Sequence, residues 1–304
     1  MIDDLRAELA RTDLSPETEQ KLRNLLTVLE SDAQAHLESF EMVEPGPHAV
    51  VSFGDVDTAD LIVFLLHGIE TDLAQFPAWA DAAQRLCADI IRSCVVRGTP
   101  RNVATIAWFA WDSGTHVSAL ATKHATVGAA RLAVSIDRLG PRNPHAHVAL
   151  VTYSYSSTLL GELFAMNLGE NVRTAFSIAS AGVTHAAGVA LADAVSRGDL
   201  VLHATEGAND SIAPLGRLGQ HPLDPRDVPG ALVYESDGGE APAVTGGTTV
   251  GAAVEGHASQ TSVDEHGRHL GYFDENAQSY LILVARLADA AVSVDPSASV
   301  DLPA

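Results

Sequence analysis

The sequence has 304 residues, 46% hydrophobic and 19% charged, with a mean hydropathy of +0.11. That balance excludes an intrinsically disordered chain and predicts a folded globular one. The formal charge is −21, from 39 acidic and 18 basic residues, so the chain repels phosphate backbones and anionic lipid surfaces, and nucleic acid is not expected as a partner.

The chain opens on MIDDLRAELA, acidic and amphipathic, which is unlike a signal peptide. Residues 3–12 and 16–40 have helical spacing, and Leu22, Leu25, Leu26 and Leu29 form one apolar stripe. Ser15-Pro16-Glu17-Thr18 supplies a helix start, with proline at the first helical position. Glu44-Pro45-Gly46-Pro47 ends this segment, so 1–44 reads as a helical appendage to a domain spanning 45–292, with 293–304 as a frayed tail.

From residue 45 the pattern alternates. Short apolar runs at 48–53, 61–66, 103–108, 147–152, 172–178, 200–205 and 231–235 read as strands. Stretches of helical period at 74–96, 117–139, 156–167, 185–197 and 274–292 lie between and after them. Strand–helix alternation predicts an α/β fold with a mostly parallel sheet flanked by helices. The stretch 237–268, rich in Gly, Ala, Thr and Ser, reads as a loop or lid. The longest apolar run, Leu61 to Leu66, is too short for a membrane span, which makes the cytoplasm the expected location. Cys87 and Cys94 stand seven apart on one predicted helix, about 10 Å along its axis, too far for a disulfide. No metal-ligand cysteine pattern occurs.

The most informative stretch is Val148-Ala-Leu-Val-Thr-Tyr-Ser-Tyr-Ser-Ser157, an apolar strand running through small residues into a helix. A nucleophilic serine needs this context. The tight turn lifts its hydroxyl above the sheet, and the helix N-terminus places backbone N–H groups beside it. Gly-x-Ser-x-Gly is the usual form, because side chains two residues either side would collide. Here Thr152 and Ser156 replace both glycines, so the turn is expected to be crowded. An ordinary helix cap at Ser154 is the alternative.

Chain order in the fold that carries such an elbow is serine, acid, histidine. The acid belongs after the strand at 200–205, where Asp210 stands, with Glu206 and Asp199 as competitors. The histidine belongs before the last helix, where His269 stands, with His257 and His266 in the same loop. The apolar strand 61–66 ends in His67-Gly68. Gly68 allows close backbone approach, and the N–H groups of Ile69 and Tyr155 are the expected oxyanion donors, with Glu70 the alternative to Ile69. His67 reads as a hydrogen-bonded structural residue. Trp108, Trp111 and Glu70 are expected in the substrate pocket, with Phe76, Trp79 and Phe109 near the same loop ends; core positions are the alternative for the aromatics.

Together these residues resemble an actinobacterial alpha/beta-hydrolase family known only as a domain of unknown function. Thr152-Tyr-Ser-Tyr-Ser-Ser157 is similar to its elbow at the serine, the following tyrosine and the last serine. Trp108-Phe-Ala-Trp-Asp-Ser113, Ala179-Ser-Ala-Gly182, Asn209-Asp-Ser-Ile212 and His269-Leu-Gly-Tyr-Phe273 resemble its other motifs, without its elbow glycines and motif prolines. The resemblance covers about residues 45–292 and implies the alpha/beta-hydrolase fold and a Ser154–Asp210–His269 triad.

The expected activity is therefore hydrolysis of an ester or related acyl bond in a small molecule, through an acyl-enzyme and without a metal or organic cofactor. An acyltransferase using the same residues and a non-catalytic binding module of the same fold are the alternatives. A Rossmann-type nucleotide binder is disfavoured, because no Gly-x-Gly-x-x-Gly or P-loop follows any predicted strand.

Overall fold

A computed structural model describes residues 1–264 and 267–293. Two helices open the chain, α1 (Ile2–Leu9) and α2 (Pro16–Ser31). Ser15 caps α2 by accepting the Thr18 N–H, and Pro16 occupies the position where a missing N–H costs nothing. The helical spacing predicted to reach residue 40 stops at Ser31. Residues Ala35–Glu41 instead form strand β1, antiparallel to β2 (His48–Phe53). The pairing partner decides this, since β2 offers β1 a hydrogen-bonding edge that a lone helical period cannot reveal.

The remaining elements run in strand–helix alternation: β3 (Leu61–Leu66), α3 (Phe76–Val96), β4 (Val103–Phe109), α4 (Lys123–Asp137), β5 (His147–Tyr153), α5 (Ser156–Ala165), β6 (Val172–Ile178), α6 (His185–Ser196) and β7 (Val201–Thr205). A one-turn helix α7 (Ala213–Gly216) and a two-residue strand β8 (Leu232–Val233) follow. The sheet has eight strands in the order β1-β2-β4-β3-β5-β6-β7-β8. From β4 to β8 it is parallel, and β2 joins it antiparallel to β4.

Central strands are buried on both faces, which is why they read as unbroken apolar runs. One face packs against α1, α2, α3 and the last helix, α8 (Gln278–Val292), around Leu22, Phe76, Leu86, Ile90 and Leu283. The other packs against α4, α5 and α6 around Trp108, Leu132, Leu159 and Leu191. Both cysteines are buried and free.

Residues 237–268 do not form a structureless lid. They contain a hairpin of β9 (Asp237–Pro242) and β10 (Thr248–Ala253), then the short strand β11 (Ser262–Asp264), which pairs with β12 (Gly267–His269). Gly238, Gly239, Gly246 and Gly247 adopt positive φ, so glycines that looked like a loop composition serve the bends of this hairpin. No helix among the described residues is long and apolar enough to cross a membrane. The predicted tail beyond residue 293 lies outside the described residues.

Burial pushes the imidazoles of His48, His67, His147 and His203 down to about 4, from an ordinary value of 6.5. Arg131, Arg173 and Arg286 add to the effect at His48, His147 and His203. The unfolded chain therefore takes up protons first as pH falls. The stability these groups contribute is fully present above the unfolded value of about 6.5 and is lost as pH falls towards about 4. Urea midpoints measured at about pH 7.5 and about pH 5.5 are expected to show a lower midpoint at the acid end.

Candidate active site

Three loops at the C-terminal ends of the parallel strands, and a fourth after the β9–β10 hairpin, converge on Ser154. The first is the elbow itself. Ser154 holds φ at 57°, a left-handed conformation that only a tightly built turn imposes on a non-glycine residue. Its N–H donates to the Ile178 carbonyl at 2.9 Å, and its own carbonyl accepts from Ser157 and Ala181. Thr152 and Ser156 do not crowd this turn. The Thr152 hydroxyl donates to the Phe176 carbonyl at 2.8 Å. The Ser156 Oγ accepts the Tyr153 N–H at 2.8 Å and lies 3.1 Å from the Leu66 carbonyl and 2.9 Å from that of Tyr153. These hydroxyls bond backbone groups, so the two non-glycine residues brace the elbow.

The second loop follows β3. Gly68 packs so closely on the elbow that an added Cβ would stand 3.1 Å from Ser154 Cβ and 3.3 Å from Tyr153 Cδ1. Here glycine serves close approach rather than a positive φ. The N–H groups of Ile69 and Tyr155 carry no hydrogen bond among the described residues, and both residues line the cleft beside Ser154. Glu70 is not available as an alternative donor, because its N–H is held by the Gly114 carbonyl at 3.2 Å. His67 lies beneath this loop with Nδ1 2.9 Å from the Gly68 carbonyl, its ring centroid 4.4 Å from that of Phe109.

The third loop follows β7. Asp210 Oδ1 accepts the N–H groups of Ile212 and Ala213 at 3.0 Å each. Its Oδ2 faces His257 Nδ1 at 2.8 Å and accepts the Tyr272 hydroxyl at 2.9 Å. Burial raises the Asp210 carboxyl, but the bond and charge of His257, with the Ala213 N–H and the Tyr272 hydroxyl, outweigh it and hold the group below the usual carboxylate range. Glu206 is committed elsewhere, to Arg217 and to Arg226 at 2.9 Å. Asp199 lies before β7, at the opposite end of the strand, bonded to Arg197 at 2.7 Å.

The fourth loop follows β10 and carries the histidine. His257 Nε2 is 2.8 Å from Ser154 Oγ, completing a continuous chain from Ser154 through His257 to Asp210. This corrects the expectation placed on His269, which sits at the end of β12 with Nδ1 2.8 Å from Glu255 Oε2. The physical reason is the pair of hairpins. After β8 the chain runs out along β9 and back along β10, so residues 254–260 cross the sheet end. The β11–β12 hairpin then separates them from α8. His266 lies outside the described residues. The His257 loop is pinned by the Tyr153 hydroxyl on the His257 carbonyl at 2.5 Å, and by the Ala258 and Ser259 carbonyls accepting from Tyr272 and Phe273. The ring of Tyr153 also stacks on that of His257, 5.2 Å between centroids.

Ser154 opens into a cleft of about 660 Å³ whose walls include Trp79, Leu120, Tyr153, Ile212 and Leu215. The aromatic residues expected there divide. Trp108 is fully buried on the α4 side, its indole N–H donating to Ser135 Oγ at 3.0 Å, so it is a core residue and not part of the pocket. Trp111 lies behind the cleft wall, stacked on Tyr155. Phe76 and Phe109 are core, whereas Trp79 reaches the cleft. Glu70 lines it. Tyr153 and Tyr272 are the residues that sequence reasoning missed. The Tyr-Ser pair of the elbow and the Tyr-Phe pair before α8 were visible, but their partners are set by tertiary packing.

A parallel sheet with helical crossovers, and a strained serine on the turn after its central strand, define the alpha/beta-hydrolase fold. The chain belongs to the alpha/beta hydrolase family, whose model matches residues 45–220. No curated protein matches this chain. Among solved structures it is similar to 2,6-dihydroxy-pseudo-oxynicotine hydrolase, at 11% identity over 98% of this chain and 79% of that one, with a TM-score of 0.47. It is also similar to a cold-adapted esterase from an Arctic intertidal metagenomic library, at 10% identity, 67% and 85% coverage and a TM-score of 0.41. A putative thioesterase from a Silicibacter species stands at 11% identity, 76% and 88% coverage and a TM-score of 0.41.

Proposed function

We propose that this protein hydrolyses an ester or related acyl bond through a Ser154–His257–Asp210 triad and an acyl-enzyme. The observation that carries the reading is the unbroken chain from Ser154 Oγ to His257 Nε2 and from His257 Nδ1 to Asp210 Oδ2, 2.8 Å at each step. In this mechanism Nδ1–H donates to Asp210, which fixes the tautomer that leaves Nε2 as the base. His257 takes the Ser154 proton as Oγ bonds to the acyl carbon, and the oxyanion is met by the N–H groups of Ile69 and Tyr155. The imidazolium returns its proton to the leaving alcohol, thiol or amine. Water then attacks the acyl-enzyme, gives a proton to His257, and the acid departs as Ser154 is restored.

A fluorophosphonate probe is expected to label Ser154 covalently, and Ser154→Ala to abolish both labelling and turnover of a nitrophenyl butyrate ester. Labelling that persists in Ser154→Ala, or no labelling in the native protein, refutes the proposal. Gly68→Ala tests the close approach. Its Cβ would meet Ser154 Cβ at 3.1 Å, so the elbow or the loop must shift, and even small misplacement of reacting groups can cost about 100-fold in rate. The expected result is a loss of kcat with the thermal midpoint lowered by only a few degrees, read by kinetics and calorimetry on the same sample.

A further inference from the structure

Glu70 is singular in the cleft. Among the residues lining it, Glu70 is the only Asp, Glu, Lys or Arg; the walls otherwise carry apolar or neutral polar side chains and the imidazoles of His116 and His257. An anionic substrate therefore finds no lysine or arginine there, in a protein whose formal charge is −21. Glu70 also holds φ at 51°, a left-handed conformation that a glutamate adopts only when its surroundings impose it. In that conformation the Glu70 N–H donates to the Gly114 carbonyl, and His116 contacts the side chain.

Both His116 contacts fall on one carboxylate oxygen. Oε1 lies 2.8 Å from His116 Nδ1 and accepts the His116 N–H at 3.3 Å. Oε2 takes no bond among the described residues, and the side chain is 50% exposed. The carboxylate is thus oriented by one oxygen and presented by the other, next to Ile69 and at the edge of the cleft.

We propose that Glu70 makes this cleft select acyl substrates that carry an ammonium group, recognised by the free carboxylate oxygen while the apolar walls take the acyl chain. This rests on Ser154 being the nucleophile of the cleft. A half-exposed carboxylate against one positive charge supports about twofold to fivefold discrimination.

The test uses butyrylcholine and its uncharged carbon isostere, 3,3-dimethylbutyl butyrate. Their affinities are measured by calorimetry on full-length Ser154→Ala protein, which binds without turnover. A matched pair with the charge moved to the acyl side, nitrophenyl esters of 4-trimethylammoniobutyrate and 5,5-dimethylhexanoate, is measured the same way. The expected result is tighter binding of the cationic member of at least one pair, by about twofold to fivefold, with the ratio collapsing to about one in Glu70→Gln. In the Ser154→Ala protein with Glu70 intact, the same ratio should shrink as salt rises from about 0.05 to about 1 M, a readout that needs no substitution at Glu70. Equal affinities within both pairs, or a preference that survives Glu70→Gln, overturns the proposal. Cation-selective binding by a native protein that hydrolyses none of these esters would uphold Glu70 and refute the hydrolase reading instead.

Discussion

His257→Ala is expected to lower kcat/KM for a nitrophenyl ester by about 10⁴-fold or more, while His269→Ala leaves it within about threefold. The contrast follows from where the two imidazoles stand. His257 lies between Ser154 and Asp210, at 2.8 Å from each, and the Tyr153 hydroxyl pins its backbone. His269 stands on the β11–β12 hairpin and bonds to Glu255. Removing His257 leaves Ser154 with no base, and the remaining rate would come from binding and the oxyanion donors alone. Steady-state kinetics on the two variants decide the matter. A His257→Ala enzyme within tenfold of the native rate, or a His269→Ala enzyme that is dead, refutes the assignment.

Asp210→Asn is expected to cost about 10⁴-fold in kcat with the fold intact. The asparagine oxygen can still accept from Ile212 and Ala213, so the loop keeps its shape. Its amide nitrogen then replaces Oδ2, where both His257 Nδ1–H and the Tyr272 hydroxyl donate. Three donors cannot share that position, so the imidazole turns over to the tautomer whose Nε2 carries the proton and cannot act as base. Tyr272→Phe removes one donor only, and leaves the Gly207 N–H without the phenol oxygen it reaches at 2.8 Å. A hydrogen bond to a charged group is worth about 1.5–3 kcal/mol, so that variant should lose about tenfold or more in kcat. The two variants also differ in acid. The Asp210 carboxyl is held below its ordinary value in the fold. The stability it contributes is therefore present above the unfolded value and lost as pH falls through the folded one, and Asp210→Asn abolishes that part of the acid sensitivity. Denaturant midpoints of the native and Asp210→Asn proteins, compared between about pH 6 and about pH 3, check the sign.

The elbow was legible because its signal is local. A strand of apolar residues, a run of small ones and a helix start all lie within Val148–Gly161, and no distant partner is needed to read them. Asp210 was legible for a related reason, since its distance from the preceding strand end is short. The same locality exposed the glycine of the β3 loop. Thr152 and Ser156 show the limit. Their size predicted crowding, yet their hydroxyls bond to backbone groups of β3, β5 and β6 that no local pattern names.

Local patterning along the chain specifies the alternation of buried strands and amphipathic helices, and with it the serine on its turn. Periodicity and composition are properties of neighbours along the chain, and the core follows from them. Which histidine faces the serine depends instead on contacts between distant parts of the chain. His257 and His269 share one stretch of polar, glycine-rich chain, and their fates differ because the β9–β10 hairpin pairs and carries residue 257 over the sheet end. Strand pairing of that kind depends on contacts between residues far apart, as does the burial that took Trp108 into the core and left Trp79 at the cleft.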